Sequence, residues 1–302
     1  MLNWERLRVL AAIAEHGSIG AAAATLHVTG PAVTQQIRKL ERETRSVLLE
    51  PDGRGVRLTA AGHLAAEAAQ RVARTVSDTE HSLATLHGRV VGPLRIGAIN
   101  STFGLLLGPA LRLVAERHPE LAPSARSGEA VDMVPLLRSR ELDVVLVENW
   151  STLQVRVPPR VRMEPLVVHD VHLAVSAQHP LADCETVALD QLHDEVWTAC
   201  RPGTDHHDAQ NQAMRRCGIE PEVRFVVDDF QTQMTLVAGG LAVTLVPRPA
   251  VEGYPGVRLV PVTPALTRTI AFATREGAVP PGVGALAAAL HEVAEEVPGR
   301  RP

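Results

Sequence analysis

The sequence predicts an α/β protein with a winged helix-turn-helix at its N-terminus, a long linker helix after it, and a large α/β body. Three observations support this fold class. Residues 18–40 hold two short stretches of helical apolar periodicity around a turn, and residues 59–87 contain no proline and keep a helical apolar pattern. From residue 94 onward, short apolar strands alternate with helices.

The composition indicates a sizeable core and an uneven distribution of charge. Of the 302 residues, 45% are hydrophobic and 3% are aromatic, and the net charge is −4. Residues 1–60 carry eight basic and six acidic side chains, so this segment has a charge of +2 and the remainder −6. A basic surface on an acidic body suits a DNA-binding head, although a neutral solvated surface would also fit this small excess.

Cysteine usage and hydropathy indicate the compartment. The 3 cysteines form no CxxC pair, and no apolar signal segment opens the chain. No stretch reaches the ~18 uninterrupted apolar residues that a membrane span needs. We therefore expect a protein of the reducing cytosol that makes no contact with a membrane.

Residues 4–40 are predicted to form three helices, of which the first, Trp4 to Glu15, supports the other two. Ser18 precedes the second helix and Thr29 the third, where their hydroxyls can cap free backbone N–H groups. Pro31 fits the first turn of the third helix, where a missing N–H costs nothing. The inward positions of the two short helices are Ile19, Ala22, Ala23, Leu26, Val33, Ile37 and Leu40.

The outer face of the third helix carries Thr34, Gln35 and Arg38. Hydroxyl, amide and guanidinium groups on an exposed helix suit the base edges and phosphates of a DNA major groove. The alternative is an ordinary amphipathic helix pair with a solvated polar face.

Beyond this helix, which is expected to continue to about Leu48, the turn residues 52–55 separate two apolar ends and predict a short hairpin. Arg54 and Arg57 would stand on that hairpin as a wing beside the minor groove or a phosphate. Such a hairpin is often only a polar loop, but its position directly after a helix-turn-helix favours the wing.

A single long helix is predicted from Thr59 to His87. Its apolar seam consists of Leu64, Ala68, Val72, Val76, Thr79, Leu83 and Leu86, at steps of four and three. A helix of this length would extend ~40 Å. We expect it to pair with the same helix of a second subunit, the alternative being a helix packed on its own body domain.

The body is predicted to be a mostly parallel sheet with helices on both faces. Its expected strands lie at residues 94–99, 121–126, 144–147, 166–168, 171–175, 196–199, 223–227, 241–246 and 268–274. The expected helices lie at residues 103–117, 131–140, 208–217, 230–238 and 283–297.

A long run of residues at fixed spacing then carries a resemblance. It comprises Leu7, Ile13, Gly17-Ser18, Ala22-Ala23, Leu26-His27-Val28, Pro31-Ala32-Val33-Thr34, Gln36-Ile37, Leu40-Glu41, Gly53-Arg54-Gly55-Val56-Arg57-Leu58-Thr59 and Gly62. From about Trp4 to Thr59 this pattern resembles the winged helix-turn-helix of the LysR-type transcriptional regulators. The chain departs from it where the family usually has Gly and then Leu-Phe-x-Arg, because it has Arg45 and then Leu48-Leu49-Glu50-Pro51.

The body resembles the periplasmic-binding-protein-like half of the same family. The matching pieces are residues 92–97, 118–119, 141–143, 179–182 and 236–247, with Ala242 in place of a common glycine. The resemblance implies two lobes, residues 92–163 with 266–302 and residues 164–265, around a cleft for a small-molecule effector. It divides the chain into a DNA-binding domain at 1–58, a linker and dimerisation helix at 59–88, and an effector-binding domain at 89–302.

Ligands of open α/β sheets bind beyond the carboxyl ends of the strands, against helix N-termini. The residues expected at this cleft are Asn100, Ser101, Thr102, Gly128, Glu129, Cys200, Thr204, Asp228 and Gln231. Ser101 and Thr102 could instead only cap a helix. The charge of the effector stays open, because backbone N–H groups suit a carboxylate whereas Asp205, Asp228, Asp229 and Glu129 suit an amine.

Two more specific hypotheses, a redox switch and a metal site, are less favoured. Cys200 and Cys217 could form a redox switch, as in the peroxide-sensing members of the family that the chain resembles, but they lie 17 residues apart and idle thiols are favoured. His206 and His207 are adjacent on a predicted helix, so they point apart and cannot share a metal ion. We find no G-x-S-x-G elbow, P-loop or dinucleotide fingerprint, and we predict no enzyme, cofactor or metal.

The resulting hypothesis is a cytoplasmic transcriptional regulator that binds double-stranded DNA and is controlled by a small-molecule effector. The expected DNA-binding residues are Ser18, Thr29, Pro31, Ala32, Thr34, Gln35, Arg38, Arg54 and Arg57. The expected partners are a second copy or three further copies of the chain, with RNA polymerase as another candidate. The alternatives are a small-molecule binding protein whose head binds a protein partner and, less favoured, an enzyme with its site between the lobes.

Overall fold

Three helices, a hairpin and a long helix form the first part of the chain. They are α1 (Trp4–His16), α2 (Ile19–Thr25), α3 (Gly30–Thr44), β1 (Leu49–Asp52), β2 (Gly55–Leu58) and α4 (Ala60–Leu86). The computed structural model describes residues 2–53, 55–86, 89–153, 157–297 and 299. By its internal contacts the chain divides into two units, residues 1–83 and residues 84–302.

The first unit packs as its apolar periodicity predicts. The buried residues of its core are Leu7, Val9, Leu10, Ala12, Ile13, Ala22, Ala23, Val33, Ile37, Leu40, Leu48, Ala66 and Ala69. Both predicted helix caps are confirmed, since the Ser18 hydroxyl accepts from the backbone N–H of Ala21 at 3.2 Å and that of Thr29 from Ala32 at 3.4 Å. Polar capping and apolar spacing therefore fix α2 and α3 together.

The end of α3 differs from the expectation that the helix would continue to about Leu48. It ends at Thr44 because Arg45 adopts a left-handed conformation with a φ of 51°. The Glu41 carboxylate then accepts from the backbone N–H groups of Leu48 at 2.9 Å and Leu49 at 3.4 Å. A side chain of α3 thus holds the start of the hairpin.

The hairpin pairs antiparallel, with Glu50 opposite Arg57 and Asp52 opposite Gly55. Arg54, the other arginine predicted for the wing, lies outside the described residues. The hairpin prediction is confirmed at residues 49–52 and 55–58.

The second unit contains all remaining elements. They are β3 (Gly92–Ala98), α5 (Asn100–Thr102), α6 (Gly108–Arg117), β4 (Leu121–Ser127), α7 (Ala130–Arg138), β5 (Val144–Trp150), β6 (Val161–Ser176), β7 (Val187–Ala188), β8 (Val196–Ala199), α8 (Asp205–Arg216), β9 (Glu222–Val226), α9 (Phe230–Ala238), β10 (Thr244–Pro247), α10 (Arg248–Val251), β11 (Val257–Arg275) and α11 (Pro281–Glu296). A π-helical turn, Phe103–Leu107, joins α5 to α6, and a short 3-10 turn, Leu189–Gln191, follows β7.

The main sheet is mixed, not mostly parallel as predicted. Its strand order is β10-β6-β11-β5-β3-β4, with β7 beside β11. Strand β3 runs parallel to β4 and β5, but β11 is antiparallel to β5 and β6, and β6 is antiparallel to β10. The reason is that the chain returns along β11 after building both lobes, which reverses its direction against the earlier strands.

Two long strands connect the lobes. The separate strands predicted at 166–168 and 171–175 are parts of β6, which has 16 residues, and the strand predicted at 268–274 is the second half of β11, which has 19. The first part of β6 and the last part of β11 enter the core of one lobe, and their other halves enter the core of the second lobe. Among the described residues, no helix has the length and apolarity to cross a bilayer.

Candidate functional site

The exposed face of α3 is polar above a fully apolar buried face. Gln35 and Arg38 are exposed, whereas Val33 and Leu40 are completely buried. The Arg38 side chain has no hydrogen bond or salt bridge to any described residue. The amide and the guanidinium are therefore free to meet a partner from solvent.

The remaining residues predicted on this face contribute less free hydrogen-bonding capacity. Thr34 is half-buried, and its hydroxyl donates to the carbonyl of Gly30 at 3.1 Å, which leaves it as an acceptor. Ser18 and Thr29 use one lone pair each as helix caps, and their O–H groups stay available as donors. Pro31 is exposed and Ala32 half-buried at the N-terminal end of α3.

The wing arginine within the described residues is partly neutralised. Arg57 is exposed, and its Nε lies 3.1 Å from Oε1 of Glu50, the residue opposite it in the hairpin. Cross-strand pairs of opposite charge stabilise a hairpin modestly. Because surface ion pairs are weak, Arg57 can readily leave Glu50 and bind a phosphate instead.

A cavity of about 330 Å³ lies in the second unit, beyond the ends of β3, β5 and β8. Its lining residues are Ile99, Asn100, Ser101, Gly104, Leu105, Glu129, Glu148, Cys200, His206, Asp228, Asp229, Phe230, Gln231, Pro249 and Ala250. They come from both lobes, which is the place predicted for an effector. The volume is at the small end of the range for small-molecule sites.

Six of the nine residues predicted for the cleft line this cavity: Asn100, Ser101, Glu129, Cys200, Asp228 and Gln231. The other three support the walls. Thr102 is buried and its hydroxyl donates to the Ile99 carbonyl, and buried Thr204 caps α8 by accepting from the His207 N–H. Gly128 gives its N–H to the carbonyl of Ala98 at 3.1 Å.

Sequence reasoning missed a buried arginine behind the cavity wall. Arg268 of β11 has no exposed surface, and its Nη1 lies 2.9 Å from Oγ of Ser101 and 3.2 Å from Oε2 of Glu148. Its Nη2 lies 3.2 Å from Nδ1 of His169 in β6. Burial and the adjacent guanidinium lower the pKa of His169 to about 4, so the imidazole is neutral and accepts at Nδ1.

A second arginine connects the two lobes at the cavity. Arg201 follows β8, and its Nη2 lies 2.6 Å from Oδ2 of Asp132 in α7. Its Nε lies 3.2 Å from Oδ2 of Asp228, and its backbone N–H donates to the same carboxylate at 2.7 Å. The three side chains are each about half exposed, so this link is a solvated one.

Two carboxyl groups, Glu129 in the cavity lining and Asp205 at the start of α8, have raised pKa values. Glu129 has a pKa raised to about 7, first by burial and then by the charges of Glu148, Asp228 and Asp205, with Arg201 opposing them. The pKa of Asp205 is raised to about 6, again mainly by burial. Perturbed carboxyl groups in a cleft mark candidate functional sites.

The thiol in the cavity is buried and protonated. Cys200 is 5% exposed, and Nε2 of Gln233 lies 3.5 Å from its sulfur. Burial, together with the nearby carboxylates, raises the pKa of this thiol well above its usual range. Cys184 and Cys217 are also free thiols. A protonated thiol is a poor nucleophile, so these data favour the predicted idle cysteine over a redox switch.

The last feature of the site is a cluster of three aromatic rings. The His206 ring lies 5.0 Å from the ring of Phe230, edge to face, and 5.4 Å from that of Trp150. Its Nε2 lies 2.9 Å from the Leu245 carbonyl, and its Nδ1 accepts from the Cys200 N–H at 3.4 Å. Both ring nitrogens are therefore used inside the protein, and His206 offers the cavity only its ring.

Two family models match the chain. One is described as "Bacterial regulatory helix-turn-helix protein, lysR family" and matches residues 4–63; the other is described as "LysR substrate binding domain" and matches residues 87–295. Together they include both the α3 face and the cavity.

Curated relatives and solved structures agree with these models. A "Hydrogen peroxide-inducible genes activator" of Dickeya chrysanthemi is 31% identical over 91% of this chain and 90% of its own length. The "DNA-binding transcriptional dual regulator OxyR" of Escherichia coli K12 is 30% identical over 91% and 90%.

Among solved structures, the LysR family regulator CbnR superposes with a TM-score of 0.70 at 25% identity, covering 97% of this chain and 99% of its own. A full-length OxyR variant from Pseudomonas aeruginosa has the same fold, with a TM-score of 0.72 at 23% identity over 100% and 99%. The curated relatives are transcriptional regulators and not enzymes. The chain therefore belongs to the LysR family of DNA-binding transcriptional regulators and carries an effector-binding domain after its helix-turn-helix in the sequence.

Proposed function

We propose that α3 reads operator DNA in the major groove, that the wing holds the adjacent backbone, and that a small molecule in the cavity controls transcription. The observation that carries this proposal is the face of α3, where exposed Gln35 and Arg38 stand above a fully buried apolar face. CbnR has been solved in complex with its target DNA, and it shares this fold with a TM-score of 0.70. We place this function in the cytoplasm, where the DNA is.

Each polar group has a distinct part in this proposal. Gln35 can form two hydrogen bonds with an adenine edge, and Arg38 can do so with guanine or bind a phosphate. Ser18, Thr29 and Thr34 supply hydroxyls near the helix N-terminus, where phosphates bind. Arg57 and Arg54 contact the backbone from the wing, and Pro31 and Ala32 shape the approach of the groove.

We propose further that α4 pairs two subunits. Leu64, Val72, Val76 and Leu83 are exposed by 67, 43, 45 and 56% although they repeat on one helical seam; the side chain of Leu86, the last member, lies outside the described part. Apolar side chains at this spacing are typical of a helix that packs against a partner. This assigns residues 1–58 to DNA binding, 59–88 to pairing and 89–302 to the effector, with the lobes at 92–163 with 266–302 and at 164–265.

Several relatives are named for hydrogen peroxide, but the thiol in the cavity of this chain does not favour oxidation as its signal. The one cysteine in the cavity, Cys200, is buried and protonated and accepts a hydrogen bond from Gln233. We therefore propose reversible binding of a ligand, which shifts the population between two arrangements of the lobes. A treatment with hydrogen peroxide should leave operator binding unchanged.

The test of the DNA interface starts from the genomic fragments that the purified protein retains at moderate salt. On the selected operator, Gln35→Ala should reduce the preference over unrelated DNA, whereas Arg38→Ala should also lower the slope of log K against log salt by about one. Gln191→Ala, an exposed glutamine of the second unit, is the matched control. Unchanged binding by both variants would show that α3 does not contact DNA.

The test of pairing uses charge on the seam. Val76→Glu should convert the dimer to monomers in sedimentation velocity, because it places a carboxylate in an apolar helix contact. Leu241→Glu, at an equally exposed leucine with 55% exposure, is the control and should leave the mass unchanged. Equal masses for all three proteins would contradict the assignment of α4.

A further inference from the structure

We propose that the effector of this protein is an organic cation, a small amine with an apolar body, held by Glu129 and Glu148 against the ring of Phe230. This inference rests on the proposed function, since it takes the cavity of about 330 Å³ as the effector site. It adds the chemical class of the ligand, which the fold alone leaves open.

The first argument is the charge of the lining. Glu129, Glu148, Asp228 and Asp229 all line the cavity, and no lysine or arginine does so among the described lining residues. Asp228 has a cationic partner in Arg201, and Asp229 is used as a helix cap that accepts from Thr232 at 2.7 Å. An anionic ligand would meet these carboxylates, and the Arg201 guanidinium beside the cavity is already paired with Asp132 and Asp228.

The second argument is a deeply buried carboxylate with a free oxygen. Glu148 is 4% exposed and lines the cavity. Arg268 binds its Oε2, and its Oε1 has no hydrogen bond to any described residue. Oε1 is not among the buried atoms that lack a partner in the described structure, so this oxygen is accessible on a residue that lines the cavity. A donor from the ligand would complete it.

The third argument is the neighbouring Glu129. Its carboxylate makes no salt bridge or hydrogen bond within the described residues, and it feels Glu148, Asp228 and Asp205 more strongly than it feels Arg201. Burial first, and this accumulation of negative charge second, raise its pKa to about 7. An ammonium placed between Glu129 and Glu148 would reverse that balance, because each carboxylate would gain an opposite charge.

The fourth argument is the aromatic and aliphatic part of the cavity lining. Phe230 lines the cavity beside Leu105 and Pro249, and the neutral ring of His206 packs edge to face on Phe230 at 5.0 Å. An aromatic face attracts a cation, and aliphatic side chains bury an apolar body. This part of the lining and the carboxylates together match an amine that has a hydrocarbon portion.

The helix N-terminus at the same site does not favour an anion. Helix α5 has only three residues, Asn100–Thr102, and the Ser101 hydroxyl already accepts from Arg268 at 2.9 Å. The Thr102 hydroxyl donates to a backbone carbonyl and is buried. The Thr102 hydroxyl is thus engaged inside the protein, and Ser101 keeps only its single O–H as a donor for a ligand.

The experiment measures binding to the full-length protein by calorimetry. Phenethylamine and putrescine are compared with the acids of matching length, hydrocinnamate and adipate. We expect the amines to bind at least tenfold more tightly than the acids at pH 8, where both ammonium groups remain protonated. Tighter binding of the acids, or no binding of either class at millimolar concentration, would overturn the inference.

Two variants locate the binding. Glu129→Gln should weaken the binding of the amines at least tenfold and should not weaken the binding of the acids, because it removes one carboxylate and keeps the shape of the side chain. Glu276→Gln removes the same charge from an exposed residue outside the cavity lining and should change nothing. Amine affinity that is equal in all three proteins would place the ligand elsewhere and refute the proposal.

The pH dependence gives an independent signature. With a pKa of about 7, Glu129 must lose its proton when a cation binds, so amine affinity should rise on the order of tenfold from pH 6 to pH 8 and lose this slope in Glu129→Gln. Gel shifts with the same preparations check operator binding separately. Intact operator binding together with an absent amine preference would refute this inference alone.

Discussion

Replacing Glu148 by glutamine is the most informative change to the stability of the effector-binding unit. Glu148 is the only described carboxylate bonded to Arg268, whose side chain has no exposed surface. In Glu148→Gln the amide oxygen can still accept from Nη1 across the present 3.2 Å, but the negative charge is gone. The guanidinium then remains buried without a counter-charge, and its Nε already has no partner in the described structure.

The expected loss follows from that burial. Breaking a buried ion pair by removing one partner costs about 3–5 kcal/mol, and we take about 3 kcal/mol because the hydrogen bond survives. For a unit of about 200 residues this corresponds to a fall in Tm of about 6–12 °C. Replacing both partners, as Glu148→Leu with Arg268→Met, should recover most of the loss, since well-packed apolar residues often substitute for a buried pair.

Urea unfolding monitored by tryptophan fluorescence measures this effect. Trp150 and Trp197 are buried in the same unit, and a Trp4→Phe background removes the signal of the other unit. The matched control is Glu292→Gln, which removes the partner of Arg117 from an exposed pair with contacts of 2.7 and 2.8 Å. If Glu148→Gln lost no more stability than this control, Arg268 would not depend on Glu148 and the argument from burial would be wrong.

Three further predictions concern single residues. Arg45→Gly should stabilise the N-terminal unit by about 0.5–1 kcal/mol in urea unfolding, because glycine adopts the left-handed conformation that arginine holds at a φ of 51°; an unchanged midpoint would contradict this. Glu50→Gln should strengthen binding to all DNA sequences alike by up to about 1 kcal/mol in gel shifts, because Arg57 then meets a phosphate without first giving up its 3.1 Å partner; an affinity that stays the same would rule this out. Glu129→Gln should raise the free energy of unfolding by about 1–2 kcal/mol at pH 8, a value discounted for partial exposure. This gain should disappear as the pH falls from about 7 toward 4.5, because the folded protein then protonates Glu129. Equal gains at pH 8 and pH 5 would exclude a raised pKa as their cause.

The helical parts of the fold were predictable because their signals are local. Ser18 and Thr29 cap the helices that they precede, and Val33 and Leu40 are buried as the periodicity requires. The end of α3 was not predictable, since nothing near Arg45 marks a left-handed residue. A glycine there would have marked it, and this position is where the chain departs from the usual family pattern.

The sheet was predicted less well because its strand directions depend on distant pairing. The two short apolar runs at 166–168 and 171–175 looked like separate strands, with His169 and Asp170 between them. In the structure they are one strand, because β11 pairs with both runs and His169 is covered by Arg268. A polar residue inside a strand looks like a break in the sequence until its partner is known.

The residues predicted for the cleft also divide into those that a local rule located correctly and those that it did not. Asn100, Ser101, Cys200 and Asp228 directly follow strands, so the rule for open α/β sheets located them. Thr204 follows the same rule but faces inward as a cap, because the rule gives a position along the chain and not the direction of a side chain.

Glu148 and Arg268 had a usable signal in the sequence. Each is the only charged residue in a mostly apolar stretch, although Thr267 and Thr269 flank Arg268 and Asn149 follows Glu148. Charged residues are almost never fully buried unless they are paired. With Glu148 directly after one predicted strand and Arg268 at the start of another, mutual pairing is the simplest solution, and the structure contains it.

Arg95 shows the limit of this criterion: it lies in an equally apolar run, yet it is one-quarter exposed and salt-bridged to Asp143 at the edge of the core. The pattern thus predicts a paired charge, and burial depends on the position in the sheet. Arg268 pairs on both sides, with Trp150 of β5 and His169 of β6, whereas Arg95 pairs with Ser124 of the edge strand β4 alone.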